Sequence, residues 1–331
     1  MRGRWWWGWL LGWGWLISAW GSGLTPVVVQ LKWQHQFQFA GYYAALAQGY
    51  YRTAGLNVQL RAALPQTDVV DEVVSGRAQI GVGSSSLLLR YAQGAPVVAL
   101  GVIFQHSPWA LAARNDGQSL LSLHDLAGKK LLINPDASEL AAYLQAEGVK
   151  AQLVRATNFD PIDALRGEIR AQSVYVSNEL FTLKSQKIPI TLFSPRAAGI
   201  DFYGDNFFTS QTWLQKNPEA VAAFRQATFK GWQYALQHPQ EMIELIRREY
   251  NFTRSPAHLA FEAEQIKPLI QAESVEMGYM YQGRWEHIAQ TYQRLGLLKQ
   301  SINWDDFLYQ APKPPWFDRH TTVSLWLVLG I

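Results

Sequence analysis

The chain contains no cysteine. Disulfide scaffolds, thiolate metal sites and cysteine nucleophiles are therefore excluded, and the composition is compatible with an oxidising compartment. Charge imbalance is equally scarce. The formal net charge is +3, and Arg2 and Arg4 near the start leave 27 basic residues against 26 acidic ones from residue 23 onward. That excludes the basic footprint of a nucleic-acid partner. His35, His106, His124, His238, His258, His287 and His320 show no metal-ligand spacing. There is no Gly-x-Ser-x-Gly elbow, phosphate loop or Gly-x-Gly-x-x-Gly turn. No catalytic residue, cofactor or metal is expected. Asp68, Asp71 and Glu72, like Asp305 and Asp306, read as solvated faces.

What is present is globular. The chain has 331 residues, 48% hydrophobic and 13% aromatic, enough for two domains or lobes and inconsistent with general disorder. Seven of its 15 tryptophans lie in the first 20 residues, in an apolar run after Met1-Arg2-Gly3-Arg4. A basic start and a short apolar stretch read as a secretory signal, residues 1–22, so the chain is expected to be exported. The bulky Trp20 near Ser18-Ala19 leaves an uncleaved N-terminal anchor open. At the other end Pro312, Pro314 and Pro315 stiffen a linker, and residues 322–331 are uncharged and mostly apolar. Residues 311–331 read as a linker and the start of a truncated membrane helix, or as a tail packed on the domain.

Between about 24 and 310 strands and helices alternate. Strands are predicted over Pro26–Trp33, Leu56–Arg61, Gln79–Val82 and Pro96–Phe104, and helices over Phe39–Arg52, Val69–Ser75 and Ser84–Ala92. This predicts an α/β fold with a mainly parallel sheet. A strand, helix, glycine, strand order at Gly55-Leu56, Ser75-Gly76 and Gln79 recurs at Gly148-Val149, Arg166-Gly167, the helix Pro161–Leu165 and the strand Ser173–Val176. The echo predicts two similar lobes: 24–113 with 200–310, and 114–199. Helices dominate after 210, over Thr212–Leu236, Pro239–Tyr250, Pro256–Gln271 and Trp285–Leu295.

Ligands of open α/β sheets bind beyond the carboxyl ends of the strands. Trp33 to Tyr43 follows the first strand, rich in aromatics and amides, with Lys32 the only nearby charge. It suits a flat, polar, uncharged ring: Trp33 to stack, and Phe37 and Tyr42 as further aromatic contacts. Phe39 and Tyr43 read equally well as helix core. Gly83, Ser84 and Ser85 open a helix and offer N–H and hydroxyl donors to a polar substituent, although Ser84 also reads as a simple helix cap. His106 and Ser107 follow another strand. Asn178 and Glu179 follow the strand of the second lobe, and there a carboxylate accepts from an amino group and an adjacent ring N–H. Tyr175 and Tyr203 are candidates to close the cleft, and Asp205 lies where the chain returns to the first lobe.

The string Leu31-Lys32-Trp33-Gln34-His35-Gln36-Phe37-Gln38-Phe39-Ala40-Gly41-Tyr42-Tyr43, with Ser75-Gly76-Arg77-Ala78, Phe104-Gln105-His106-Ser107-Pro108, Asp125-Leu126-Ala127-Gly128-Lys129, Asn178-Glu179 and Asp201-Phe202-Tyr203-Gly204-Asp205, resembles the solute-binding proteins for thiamine pyrimidine precursors. That superfamily also holds alkanesulfonate-binding proteins and the fungal thiamine pyrimidine synthase. The resemblance implies a type 2 periplasmic-binding-protein fold. Its two α/β lobes close on a small heteroaromatic ligand, and a helical C-terminal segment returns to the first lobe. The aromatic signature is most similar to sensor domains fused through a membrane helix to signalling modules; an ABC transporter permease is the alternative partner. Leu180 stands where a proline commonly follows the Asn-Glu pair, and Ser84-Ser85-Ser86 replaces an asparagine- and aspartate-containing turn. The synthase would need a cofactor lysine near Gly81-Val82-Gly83, a histidine where Leu87 stands and a cysteine-rich iron loop. Their absence implies a binding protein and no enzyme.

Overall fold

The computed structural model describes residues 23–311, apart from 65, 116–121, 135, 156–161, 163, 164, 166, 251 and 252. The segments carrying the expectations of a secretory signal and a membrane helix lie outside the described residues, as does most of the predicted helix Pro161–Leu165. Among the described residues no helix is long and apolar enough to cross a membrane.

Two five-stranded sheets are built on one plan. The first contains β1 (Thr25–Gln30), β2 (Leu56–Arg61), β3 (Ile80–Gly83), β4 (Val97–Val102) and β10 (Asn206–Ser210), in the order β2-β1-β3-β10-β4. The second contains β5 (Trp109–Arg114), β6 (Lys130–Ile133), β7 (Gln152–Arg155), β8 (Ile169–Tyr175) and β9 (Ile190–Phe193), in the order β7-β6-β8-β5-β9. The internal echo is structural. Its strands β2 and β7 are edge strands, and β3 and β8 each stand third in their sheet. The echoed Gly55, Gly76, Gly148 and Gly167 all have φ between 69° and 78°, a region that glycine enters without a Cβ penalty.

The sheets are mixed rather than mainly parallel. β10 runs antiparallel to β3 and β4, and β5 antiparallel to β8 and β9. These two strands carry the chain across. β5, inside the boundary drawn for the first lobe, pairs in the second sheet, because its Trp109 is registered opposite Tyr175 at the end of β8. The crossing segments lie side by side: Ile103 and Phe104 donate their N–H groups to the Asp205 carbonyl at 2.8 and 3.0 Å, and Gly204 donates to the Phe104 carbonyl at 2.9 Å.

β1 is paired on both sides, by β2 and β3, and its β-branched run Val27-Val28-Val29 faces both cores of the first sheet. One face packs on helices Ala40–Ala47, Pro218–Gln237, Pro239–Glu249 and Pro256–Ile270; the other on Val69–Val74, Leu87–Ala92 and Gln282–Arg294. Two predicted helices are interrupted. Gly49 in the left-handed region separates Ala40–Ala47 from Tyr50–Thr53. Asn217 stands between Gln211–Lys216 and Pro218–Gln237, because Pro218 disfavours helical backbone before it and starts the next helix.

Helices Ala40–Ala47 and Pro218–Gln237 meet at glycine. A Cβ on Gly231 would lie 2.1 Å from the Gly41 carbonyl oxygen and 2.7 Å from Ala45 Cβ. Gly231→Ala is expected to lower stability by about 1–3 kcal/mol or more through overpacking. Urea unfolding measures it; an unchanged midpoint would mean the helices part at no cost.

Candidate functional site

The carboxyl ends of the parallel strands in both sheets face the crossing segments, and a polar network joins them. Lys32, just past β1, sits 2.7 Å from Asp205 Oδ1 and donates to the Tyr175 hydroxyl at 2.8 Å. Tyr175, at the end of β8, donates to the same carboxylate oxygen at 2.5 Å. Burial, reinforced by the charge of Asp205, pushes the Tyr175 phenol well above its ordinary range, so it remains a donor. Gln38 Nε2 donates to Asp205 Oδ2 at 2.7 Å. One carboxylate thus ties the turn after β1, the return crossing and the second sheet. The side chains of Lys32 and Asp205 are only 10% and 3% exposed.

A second junction lies beside it. Asn178 and Glu179 open helix Glu179–Ser185. Glu179 Oε2 accepts the Tyr175 N–H at 2.7 Å, and its Oε1 accepts from Asn178 Nδ2 at 2.9 Å. Arg254 donates to Asn178 Oδ1, bridging the return segment to the second lobe. Glu179 therefore braces the turn with both oxygens. Burial raises its carboxyl pKa against these hydrogen bonds and the charge of Arg254.

The other predicted residues divide. Ser107 donates to the buried Glu139 at the start of helix Ser138–Ala146. His106 Nδ1 lies 2.7 Å from Asp201 Oδ2, which is also 3.1 Å from Arg284 Nη2. Ser85 donates to the Tyr203 carbonyl at 2.6 Å, and Ser84 pairs with Ser86 at 2.9 Å. Tyr203 turns away from the opposite lobe: its hydroxyl accepts the Tyr281 N–H at 3.0 Å and Arg284 covers its ring at 4.3 Å. The Phe37 side chain is core, and the Tyr42 ring packs edge-on against Phe207 and Trp232, as apolar helix positions do. Trp33 is half-buried against the first sheet's core. Gly83 ends β3 opposite Asn206.

The sequence reading did not single out Asn206, Gln36, Glu139, Arg254 or Glu262. Asn206 is 0% exposed, yet among the described residues neither amide atom has a hydrogen-bond partner. The same holds for Gln36 Oε1, His106 Nε2, Trp109 Nε1 and Ser177 Oγ. Buried polar atoms are normally paired, so each of these carries hydrogen-bonding capacity that the described protein atoms leave unused. The one signal available in the sequence was position after a strand, which marks Gln36 and Ser177 but not the helical Glu139 and Glu262.

Burial raises the Glu139 carboxyl from 4.5 to about 7, against the pull of Ser107 and Lys32. The folded state therefore binds this proton more tightly than the unfolded chain. Its contribution to stability is complete below about pH 4.5 and is lost as pH rises through 7. Glu139→Gln is expected to flatten that decline. Urea unfolding at pH 5 and 7.5 would show it, whereas an unaltered slope would place the proton elsewhere. Among the described residues no cluster of three or more His, Asp or Glu could hold a metal.

Two like sheets joined by paired crossings, with polar strand ends meeting between them, define a two-lobed type 2 periplasmic-binding-protein fold. The chain belongs to the family described as NMT1/THI5 like, which matches residues 36–242. It is 27% identical over 233 residues to the riboflavin-binding protein RibY of Chloroflexus aurantiacus, covering 67% of this chain and 66% of that protein, just under two thirds of its length. It is 23% identical over 259 residues to the formylaminopyrimidine-binding protein of Halalkalibacterium halodurans, covering 76% and 78% respectively. Among solved structures, the alkanesulfonate-binding protein SsuA of Xanthomonas axonopodis pv. citri, bound to MOPS, aligns with a TM-score of 0.68 at 13% identity, over 87% of this chain and 99% of that one. The family and fold implied by the sequence strings are thus met.

Proposed function

We propose that the chain is an exported solute-binding protein that captures a small heteroaromatic ligand, an aminopyrimidine thiamine precursor, between its lobes. The observation that carries this reading is the hydrogen-bonding character of the junction. Glu139, Glu179, Asp205 and Glu262 meet there, burial holds the three glutamates toward their neutral, protonated form, and the cations Lys32 and Arg254 are taken by Asp205 and Asn178. An anionic sulfonate would have to compete with Asp205 for Lys32. A neutral or protonatable ring finds hydrogen-bonding oxygens and the aromatic surface of Trp33 and Trp109. The relative that binds formylaminopyrimidine supports the pyrimidine. The relative named for riboflavin makes a flavin the second ligand to test.

Trp33 stacks on the ring in this reading, Asn178 and Glu179 set the turn against which it rests, and Ser84, Ser85 and Gly83 hold a polar substituent. Binding, and no catalysis, is the activity. An ABC permease or a fused signalling module reads the closed state, residues 1–22 serve as a secretory signal or an N-terminal anchor, and residues 311–331 form a linker leading into a membrane helix. Hydrogen exchange tests closure: a saturating aminopyrimidine is expected to protect residues 33–45 and 175–180 together. Protection of one segment alone would place the ligand on one lobe and reject the cleft.

A further inference from the structure

Two buried oxygens flank Phe37. Gln36 and Glu262 are each 1% exposed. Gln36 Nε2 donates to Gln38 Oε1 at 2.5 Å, which fixes the amide and leaves Gln36 Oε1 without a partner. Glu262, on helix Pro256–Ile270, accepts the Phe37 N–H at Oε2 with a distance of 2.7 Å. Its Oε1 makes no hydrogen bond. His258 Nε2 lies 3.5 Å away, but it takes the Arg254 guanidinium at 3.1 Å and so has no proton to give. Glu179, the acid chosen from sequence, has both oxygens engaged.

Building on the proposed heteroaromatic ligand, we propose that Glu262 and Gln36 form the subsite for the amidine edge of the ring, a ring nitrogen beside an amino-bearing carbon. Glu262 Oε1 shares a proton with the ring nitrogen, and Gln36 Oε1 accepts one amino N–H. No bond to carbon changes. The proton sits on the carboxyl with a neutral ring or on the ring with a carboxylate, and the hydrogen bond is the same. Burial pushes the Glu262 carboxyl up to about 8, against Arg254, so it holds a proton to share at neutral pH. Glu179 adds to that rise.

The test is a cycle of two ligands and three proteins, read by calorimetry on the full chain. The ligands are 4-amino-5-hydroxymethyl-2-methylpyrimidine and its analogue with C–H in place of the ring nitrogen beside the amino carbon. The natural protein is expected to prefer the pyrimidine about tenfold. Glu262→Met is expected to abolish that preference. Glu262→Gln keeps it within about threefold, because its carbonyl must accept the Phe37 N–H and its NH₂ then faces the ring nitrogen. A role confined to holding Phe37 would weaken both ligands equally and leave the ratio unchanged, which overturns the subsite. Equal affinity of the natural protein for both ligands also overturns it alone. If the natural protein binds neither ligand, the aminopyrimidine reading falls and the subsite with it.

Discussion

Replacing Asp205 by alanine is expected to destabilise the protein by about 3–5 kcal/mol, the range for breaking a buried ion pair from one side. The reason is the company Asp205 keeps. Lys32, Tyr175 and Gln38 all donate to it, at 2.7, 2.5 and 2.7 Å. Alanine leaves the Lys32 ammonium in the junction with only the Tyr175 hydroxyl. The loss therefore comes from an uncompensated buried charge rather than from missing contact area. A second substitution separates the two causes. Lys32→Met in the Asp205→Ala background removes the orphaned charge, and a well-packed apolar replacement of a buried pair is often close to neutral. Stability should then return toward that of the natural chain. Urea midpoints at constant slope measure both steps. A loss below about 1 kcal/mol in the single variant, or no recovery in the double, would mean Lys32 reaches water and the network is peripheral.

Trp33→Ala is expected to weaken ligand binding at least about tenfold, since a stacking face contributes roughly 1 kcal/mol beyond the area it buries. Trp33 is half-buried and packs its inner side on the first core, so folding and binding are measured separately. Trp33→Phe keeps a ring and is expected to retain most of the affinity, while both variants should unfold at similar urea concentrations. Undiminished affinity in Trp33→Ala would remove Trp33 from the site.

Much of the fold was legible because it is local. Leu56–Arg61 alternates apolar and polar residues, and the strand has those bounds. The two glycine-marked repeats pointed to two lobes of one plan. The crossing strands were missed because nothing local makes them strands. Asn206–Ser210 is held by registers with β3 and β4 that pair it with residues over 100 positions earlier. The site was legible at its strand ends. Tyr175 and Asp205 are joined there, and Asn178 and Glu179 are neighbours as expected. What each group does was not legible, because it depends on partners from distant elements. The contact between Phe37 and Glu262 spans 225 positions, and Glu262 in sequence is one more acid on a helix. Glu179 looked free because the backbone N–H it accepts is invisible in a sequence. Phe37 and Tyr42, chosen for their aromatic rings, are where ordinary core patterning places them.

The proposed cleft takes a heteroaromatic ring in preference to an anion. Calorimetric titration of the purified chain with 4-amino-5-hydroxymethyl-2-methylpyrimidine, its formylamino counterpart, riboflavin and an alkanesulfonate tests it most directly. Saturable binding of an aminopyrimidine at about micromolar affinity, with the sulfonate silent, is the predicted result. Binding of the sulfonate in preference to every ring would contradict the proposal, because Lys32 is held by Asp205 and Arg254 by Asn178.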